Sequence, residues 1–278
     1  VPELPDICVY RECLERKLLG EQLVGLHIKS PFLLRSVEPA PAEIEGRELR
    51  AVRRLGKRLV FDFDGDYFAV LHLRMTGRLH MVDARSEPGP YERLRLILPR
   101  KQALSFVDVR KFGRFTYEAE PGRVLDRLGP EPLEDGFSSG WFRKALKKRQ
   151  RALKPLLLDQ AFLAGLGNIY VDESLFRAGL HPLRLAHKLT GKSADRLHGE
   201  IRRVLSEAIE REGSSFDTFY RTPEGQPGSY QHQFQVYGRD GKPCRACGAT
   251  LRKFVVGQRG THVCLRCQRP PRRGSGLP

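Results

Sequence analysis

The spacing of apolar residues predicts that the chain opens with a helix. Ile7, Leu14 and Leu18 recur on one helical face. Asp6 is a suitable N-cap residue, and Gly20 a suitable end. The helix is therefore expected to begin after Asp6 and to bury one face.

Apolar and polar residues then alternate, which is typical of half-buried strands. The alternation is found in residues 24–28, 61–63, 68–70 and 94–98. Asp64-Gly65-Asp66 separates the second and third segments and predicts a hairpin turn. Several such strands indicate an antiparallel β-sandwich.

Helical spacing returns after residues 128–133, whose two prolines and one glycine predict a domain boundary. Helices are expected from Ser139, which is a suitable cap, over residues 168–178, and after Ser193. Residues 213–231 are rich in Gly, Ser, Thr and Pro and predict a loop. The expected fold class is α+β, with an N-terminal antiparallel β-sandwich flanked by helices and then a helical domain.

Four cysteines near the C-terminus form two Cys-x-x-Cys pairs, separated by sixteen residues. They are Cys244, Cys247, Cys264 and Cys267. This spacing fits one tetrahedral zinc ion. Disulfides are the alternative, but nothing else in the sequence suggests secretion. Two β-prone runs surround residues 257–260, so we expect a hairpin held by one structural zinc with four thiolate ligands.

The charge of the chain favours a polyanionic partner. It has 278 residues, with 49 Lys and Arg against 33 Asp and Glu, a formal net charge of +16. Nucleic acid and an acidic membrane surface are the candidate partners. No apolar run is long enough to span a bilayer, and the first residues lack the features of a secretory signal. We therefore expect a cytoplasmic protein that binds nucleic acid.

Three short motifs add candidate chemistry. Met75 lies beside Arg74, and Phe112 lies close to Arg110, in segments that follow strands. Core packing would explain these residues, but a wedge entering a base stack, with Arg110 filling the vacated space, is the sharper hypothesis. Gly165 to Asn168 precede a predicted helix, where backbone N–H groups can bind an anion.

The N-terminal Pro2-Glu3 pair also has potential chemistry. If residue 2 is the first residue, its secondary amine can attack a sugar C1′ and form an imine. Glu3 can move protons beside it.

Eight motifs, taken in order, resemble the bacterial formamidopyrimidine-DNA glycosylase family, which includes endonuclease VIII. They are residues 2–5, 72–77, 108–113, 128–133, 154–159, 165–170, 235–239 and the four cysteines. The resemblance extends over nearly the whole chain, as far as Cys267.

The resemblance implies a bifunctional DNA glycosylase and abasic-site lyase that excises oxidised purines. It implies that Pro2 is the nucleophile, Glu3 the general acid and Lys57 an active-site lysine on a phosphate near the lesion. The implied DNA-binding residues are Met75, Arg110, Phe112, Lys154, Asn168 and Arg259. Among these, the first three fill the gap left by a flipped nucleotide, Lys154 takes part in oxidised-purine recognition, and the last two contact the backbone.

The resemblance also implies an organisation and a partner. Residues 1–130 would form the catalytic sandwich, 131–235 a helix-two-turns-helix domain with a lesion-capping loop, 236–270 a zinc finger and 271–278 a basic tail. The expected protein is a monomer that binds damaged double-stranded DNA and no membrane, and associates with the bacterial nucleoid when bound.

Two departures from the family pattern leave alternatives open. Val1 precedes Pro2, so we expect a start codon read literally and a residue that is removed; a retained Val1 would give a catalytically silent binder of damaged DNA. Asp6 replaces the usual Glu. A preference for oxidised pyrimidines, as in endonuclease VIII, is the nearer alternative, although Leu4 stands where that branch usually carries Gly. A zinc-ribbon scaffold of a ribonucleoprotein is the more distant alternative.

Overall fold

The computed structural model describes residues 2–35, 40–118, 127–215 and 221–271. The chain divides into two compact units, one made of the described parts of Val1–Asp126 and Ile209–Gln231 and the other of those of Arg127–Ala208 and His232–Pro278. Within the described ranges, no helix combines the length and the apolar character that a membrane span requires.

The first unit contains helix α1 and two four-stranded antiparallel sheets. Helix α1 spans Leu4–Leu18. One sheet has the order β1 (Gly25–Ile28), β6 (Glu92–Ile97), β7 (Gln102–Val107), β5 (Arg78–Asp83). The other has the order β2 (Leu49–Leu55), β3 (Arg58–Phe63), β4 (Tyr67–His72), β8 (Arg114–Glu118).

Both sheets and α1 share one hydrophobic core. Tyr10 and Leu14 of the helix belong to the same buried cluster as Phe61 of one sheet and Leu104 and Phe106 of the other. Burial of this apolar surface is the main force that holds the layers together. The predicted β-sandwich flanked by a helix is confirmed.

Helix α1 begins earlier than its apolar pattern indicated. Glu3 has an extended backbone and occupies the N-cap position, and Pro5 lies in the first helical turn, where its fixed φ is favourable. Asp6 is therefore the third residue of the helix and not its cap.

The strand pattern located β1, β3, β4 and β6, with the hairpin turn at residues 64–66, but not the other four strands. In β7, residues 103–106 are all buried. Alternation is lost where both faces of a strand are covered, so this strand has no two-residue period.

In its described residues, the second unit is helical apart from one hairpin. Its helices are α2 (Ser139–Lys147), α3 (Leu153–Leu157), α4 (Asn168–Arg177) and α5 (Gly191–Glu210). The last two residues of α5 belong to the first unit. The hairpin consists of β9 (Arg252–Val256) and β10 (Arg259–Val263). Ser138, and not Ser139, caps α2, because its hydroxyl accepts a hydrogen bond from Trp141 N. Residues 216–220 of the predicted loop and 272–278 of the predicted tail lie outside the described residues.

Candidate active site and nucleic-acid interface

The N-terminus of α1 holds two adjacent buried carboxyl groups. Pro2 is buried, and Glu3 is only 3% exposed. The Glu3 backbone N–H donates to Asp6 Oδ2 at 2.7 Å. Ser214 N donates to the other oxygen, Asp6 Oδ1, at 3.0 Å. Asp6 thus fixes the backbone of Glu3 and connects it to the segment that begins at Ser214.

Burial also changes the acidity of Asp6. Desolvation raises the pKa of Asp6 to about 7, although the N–H groups of Glu3 and Ser214 act in the opposite direction. Near neutral pH this carboxyl group therefore passes between its neutral and charged forms. The sequence suggested only a helix cap here, because the pairing with Ser214 spans most of the chain.

Asp108 joins two loops of the first unit. This residue is 1% exposed, and Thr76 Oγ1 donates to its Oδ1. Gly113 N donates to Oδ2 at 2.7 Å, and Arg110 N to Oδ1 at 3.2 Å. One buried carboxylate therefore organises both loops, and sequence reasoning had quoted Asp108 only as part of a motif.

Two glycines let these loops approach the core. A Cβ at Gly77 would lie 2.3 Å from Leu73 O, and one at Gly113 would lie 2.6 Å from the ring of Phe106. Both distances are too short for any side chain. Glycine is therefore required at each position for the observed loop path.

The same loops present the three predicted gap-filling side chains together. Met75 is 37% exposed and Phe112 46% exposed, so both large apolar side chains are open to the solvent. Arg110 Nη1 lies 3.5 Å from Met75 Sδ, and Arg110 Cζ lies 4.7 Å from the centre of the Phe112 ring. The structure thus brings Met75, Arg110 and Phe112 into one exposed cluster.

Lys57 lies in the turn between β2 and β3 and belongs to a group of cations around His72. Burial is the largest cause of the low pKa of His72, which falls to about 3. The cations that add to this effect are, in decreasing order, Arg74, Arg58, Lys57 and Arg114. His72 is neutral at physiological pH, and the surrounding positive charge favours a phosphate.

In the second unit, Arg259 lies at the end of the β9–β10 hairpin. The turn residues Gly257 and Gln258 both have positive φ, as a two-residue hairpin turn of type I′ requires. Arg259 is exposed and begins β10. The following residue, Gly260, accepts hydrogen bonds from two predicted site residues.

Those two residues are Asn168 and Lys154. Asn168 Nδ2 donates to Gly260 O at 3.0 Å, and Lys154 Nζ donates to the same oxygen at 2.9 Å. Lys154 is 0% exposed and also pairs with Asp172 Oδ1 at 2.7 Å. The structure therefore brings Lys154, Asn168 and the hairpin together, and it leaves no surface of Lys154 for direct contact with DNA.

Two neighbouring acids of α4 anchor the C-terminal module. Asp172 Oδ2 accepts from His262 N of β10 at 2.9 Å. Glu173 accepts from three consecutive backbone N–H groups, those of residues 235–237. Both acids are fully buried. Sequence reasoning missed them, although two adjacent acids inside an otherwise apolar helical segment were a usable signal, since buried charges need partners.

The four predicted cysteine ligands converge. Their Sγ atoms all lie within 4.8 Å of one another, with Cys247 to Cys264 at 3.4 Å and Cys244 to Cys267 at 4.0 Å. Tetrahedral zinc with Zn–S bonds of about 2.3 Å places sulfur atoms about 3.8 Å apart. Burial and the neighbouring thiols raise the pKa of Cys267, so four thiolates need a cation between them. The donor set fits zinc.

Three family models match successive parts of the chain. Residues 1–115 match the formamidopyrimidine-DNA glycosylase N-terminal domain. Residues 128–220 match the formamidopyrimidine-DNA glycosylase H2TH domain. Residues 241–270 match a zinc finger found in FPG and IleRS.

Known relatives match over nearly the whole length. The formamidopyrimidine-DNA glycosylase of Thermus thermophilus is 44% identical over 275 residues, which cover 96% of this chain and 98% of the relative. Two solved structures of Lactococcus lactis Fpg are 34% identical, each with a TM-score of 0.90 and full coverage of that protein. One, in complex with DNA that contains an abasic site, covers 96% of this chain, and the other, with DNA that contains N7-benzyl-Fapy-dG, covers 97%.

These matches define a class of proteins that combine a β-sandwich, a helix-two-turns-helix domain and a zinc finger. Within that class, the chain belongs to the formamidopyrimidine-DNA glycosylase family. The resemblance inferred from the ordered motifs and the predicted metal-binding finger are both confirmed.

Proposed function

We propose that this protein is a base-excision repair enzyme that removes oxidised purines, such as 8-oxoguanine and formamidopyrimidines, from duplex DNA and then cleaves the abasic site. Its membership of the formamidopyrimidine-DNA glycosylase family carries the proposal. Support also comes from the buried Pro2-Glu3 pair and from the exposed cluster of Met75, Arg110 and Phe112.

The proposed chemistry begins with the nitrogen of Pro2. Its lone pair attacks C1′ of the damaged nucleotide and displaces the base, which leaves with the proton released from the proline nitrogen. Glu3, as general acid, protonates the ring oxygen O4′, so that the C1′–O4′ bond breaks and the sugar opens. The resulting imine is cationic and makes the C2′ proton acidic. Loss of that proton expels the 3′ phosphate by elimination, which cleaves the strand. This chemistry requires a free Pro2 amine, and therefore a mature protein without Val1.

The proposed DNA contacts divide between the two units. Lys57 would bind a phosphate, while Met75, Arg110 and Phe112 would occupy the gap left by the flipped nucleotide. Asn168 and Arg259 would bind the backbone; Asn168 Nδ2 has a second hydrogen besides the one donated to Gly260. Phosphate contacts give salt-dependent affinity without sequence preference, which suits an enzyme that searches all DNA.

The cysteine cluster is proposed to hold a single structural zinc through Cys244, Cys247, Cys264 and Cys267. When bound, the metal supplies cross-links and no catalytic water, because four thiolates fill a tetrahedral site. Removal of the metal by a chelator should lower affinity for duplex DNA by about 100-fold or more, since the hairpin loses its fold. Metal analysis should give one zinc per chain; retention of full affinity after demetallation would contradict the proposal.

The domain organisation, the location and the oligomeric state of the protein are also proposed. The functional division is into a catalytic domain of residues 1–130, a DNA-binding domain of 131–235, a zinc finger of 236–270 and a tail. The protein is proposed to act as a cytoplasmic monomer on damaged double-stranded DNA.

Borohydride trapping tests the proposed function directly. Protein whose intact mass confirms an N-terminal Pro2 should form a covalent adduct with duplex DNA that carries 8-oxoguanine or an abasic site. Matched duplexes with oxidised pyrimidines measure lesion preference. The absence of any adduct on either purine lesion or abasic DNA would overturn the proposal, and preferential trapping on pyrimidine lesions would reassign the substrate.

A further inference from the structure

We propose that Lys154 is a positioning residue for the zinc-finger hairpin, and that it affects DNA binding only through Arg259. This inference deepens the proposed function, on which it rests. The observation behind it is a lysine side chain that is 0% exposed and yet donates to the hairpin backbone.

The ammonium group of Lys154 joins two elements. Its Nζ lies 2.7 Å from Asp172 Oδ1 on α4 and 2.9 Å from Gly260 O on β10. A buried ammonium is retained in a folded protein only when its charge and its donors are matched. Asp172 supplies the charge, and Gly260 supplies a carbonyl acceptor.

Asp172 holds the same strand at a second point. Its Oδ2 accepts from His262 N at 2.9 Å and lies 3.2 Å from His262 Nδ1. Residues 260 and 262 of β10 are thus both tied to one carboxylate, the first through Lys154 and the second directly. These two attachments fix the distance of β10 from α4 and the rotation of the strand about its own axis.

Arg259 connects the anchored part of β10 to the exposed turn of the hairpin. It precedes Gly260 directly, its side chain is exposed, and its carbonyl accepts from Thr261 Oγ1 at 3.0 Å. Asn168 shares the anchor, because its Nδ2 lies 3.0 Å from Gly260 O. Asn168 itself is the first residue of α4, so its backbone is positioned by that helix and not by Lys154.

A double-mutant cycle tests this inference, with affinity for a duplex that carries a stable abasic-site analogue as the readout. Arg259→Ala should weaken binding about tenfold and reduce the slope of log affinity against log salt by about 0.9, as expected for one lost phosphate contact. Lys154→Met should have a similar effect, although the lysine itself is buried. The double variant should bind no more than about twofold more weakly than Arg259→Ala alone, because both changes remove the same contact.

Two further variants separate positioning from loss of folding. Asp172→Asn keeps an oxygen for His262 N but removes the ion pair, and should give a smaller loss that again disappears in the Arg259→Ala background. Arg202→Met is the matched control, since Arg202 is also a cation that donates to backbone carbonyls of this unit, those of residues 132–134. The control should leave affinity and salt slope unchanged.

The outcomes are distinct. The inference would be overturned if the losses of affinity in the two single variants multiplied in the double variant, or if Lys154→Met left the salt slope unchanged. Either result would favour an effect of Lys154 on DNA binding that is independent of Arg259. If the Lys154→Met variant loses its zinc or its fold, the double-mutant cycle of Asp172→Asn with Arg259→Ala takes its place as the test of the inference. Borohydride trapping of the wild-type protein is measured in parallel: a protein that binds DNA but is never trapped refutes the proposed function alone, and one that binds no DNA refutes both.

Discussion

Helices α1 and α4 both contain buried carboxyl groups, in the first turn of α1 and in the middle of α4, but they use them differently. In α1, Asp6 accepts from the backbone N–H groups of Glu3 and Ser214, and burial raises its pKa to about 7. In α4, Asp172 is paired with the ammonium group of Lys154. Asp6 therefore remains able to titrate near the proposed nucleophile, Pro2. Asp172 forms an ion pair that anchors β10, a strand distant in the sequence.

This difference shows that burial alone does not define the role of an acid. The roles of Asp6 and Asp172 differ because the first is paired with neutral N–H groups and the second with a cation, and only a cation balances the charge that burial penalises. We therefore expect substitutions in α1 to change catalysis and pH dependence, and substitutions in α4 to change stability and hairpin position.

The largest effect is expected at the first helix. Glu3→Gln should lower the single-turnover rate of base excision by about 100-fold to 10,000-fold, the usual range for loss of a general acid. Affinity for an abasic-site analogue should change less than about threefold, because Glu3 is buried and binds no phosphate. Quench assays with 8-oxoguanine duplex measure the rate. An excision rate within about threefold of wild type would remove Glu3 from the proposed mechanism.

A smaller effect should appear in the pH dependence of stability. The folded-state pKa of Asp6, about 7, is above its unfolded value of about 3.9. Its contribution to stability is therefore complete below about pH 4 and is lost as pH rises to about 7. At about 1.4 kcal/mol per pKa unit, the loss is at most about 4 kcal/mol.

Asp6→Asn should remove this pH dependence. The free energy of unfolding, measured with denaturant, should therefore fall between pH 4 and pH 7 in the wild type and change less over that range in the variant. Asp66→Asn is the control, because Asp66 is an exposed acid in a turn of the same unit. Parallel pH curves for wild type and Asp6→Asn would show that this carboxyl group is not perturbed.

The smallest effect is expected in α4. Glu173→Gln should destabilise the protein by about 2 kcal/mol, since the bonds from residues 235–237 lose their charge assistance. Base excision at saturating DNA should remain within about threefold of wild type. Denaturant unfolding measures stability, and Glu134→Gln, which changes an exposed acid of the same unit, is the control. A selective fall in the excision rate without loss of stability would erase the contrast between the two helices.

Much of this fold could be predicted because the signals are local. The turn at residues 64–66, the helix at Asn168 and the four cysteines each depend on residues close in the chain. Strand β7 could not be predicted in the same way, since burial on both faces removes its alternation. The start of α1 was misplaced because Asp6 looks like a cap until its bond to the Glu3 backbone is seen.

The residues of the candidate site could likewise be predicted only in part. Motif order identified Pro2, Glu3, Met75, Arg110 and Phe112 as candidates, and cysteine spacing identified a metal site. No sequence pattern indicated that Asp108 would join the two exposed loops, that Glu173 would hold three backbone N–H groups, or that Lys154 would be fully buried.

The sequence by itself determined the family, the metal-binding cysteines and the main layers, because these depend on residue types at fixed spacing. Only the tertiary structure decided which polar groups are buried and what they pair with. Asp6 and Ser214 are separated by 208 residues, and Lys154 and Gly260 by 106. The cost of burying a charge depends on the partner that folding brings to it, and that partner is not a property of the local sequence.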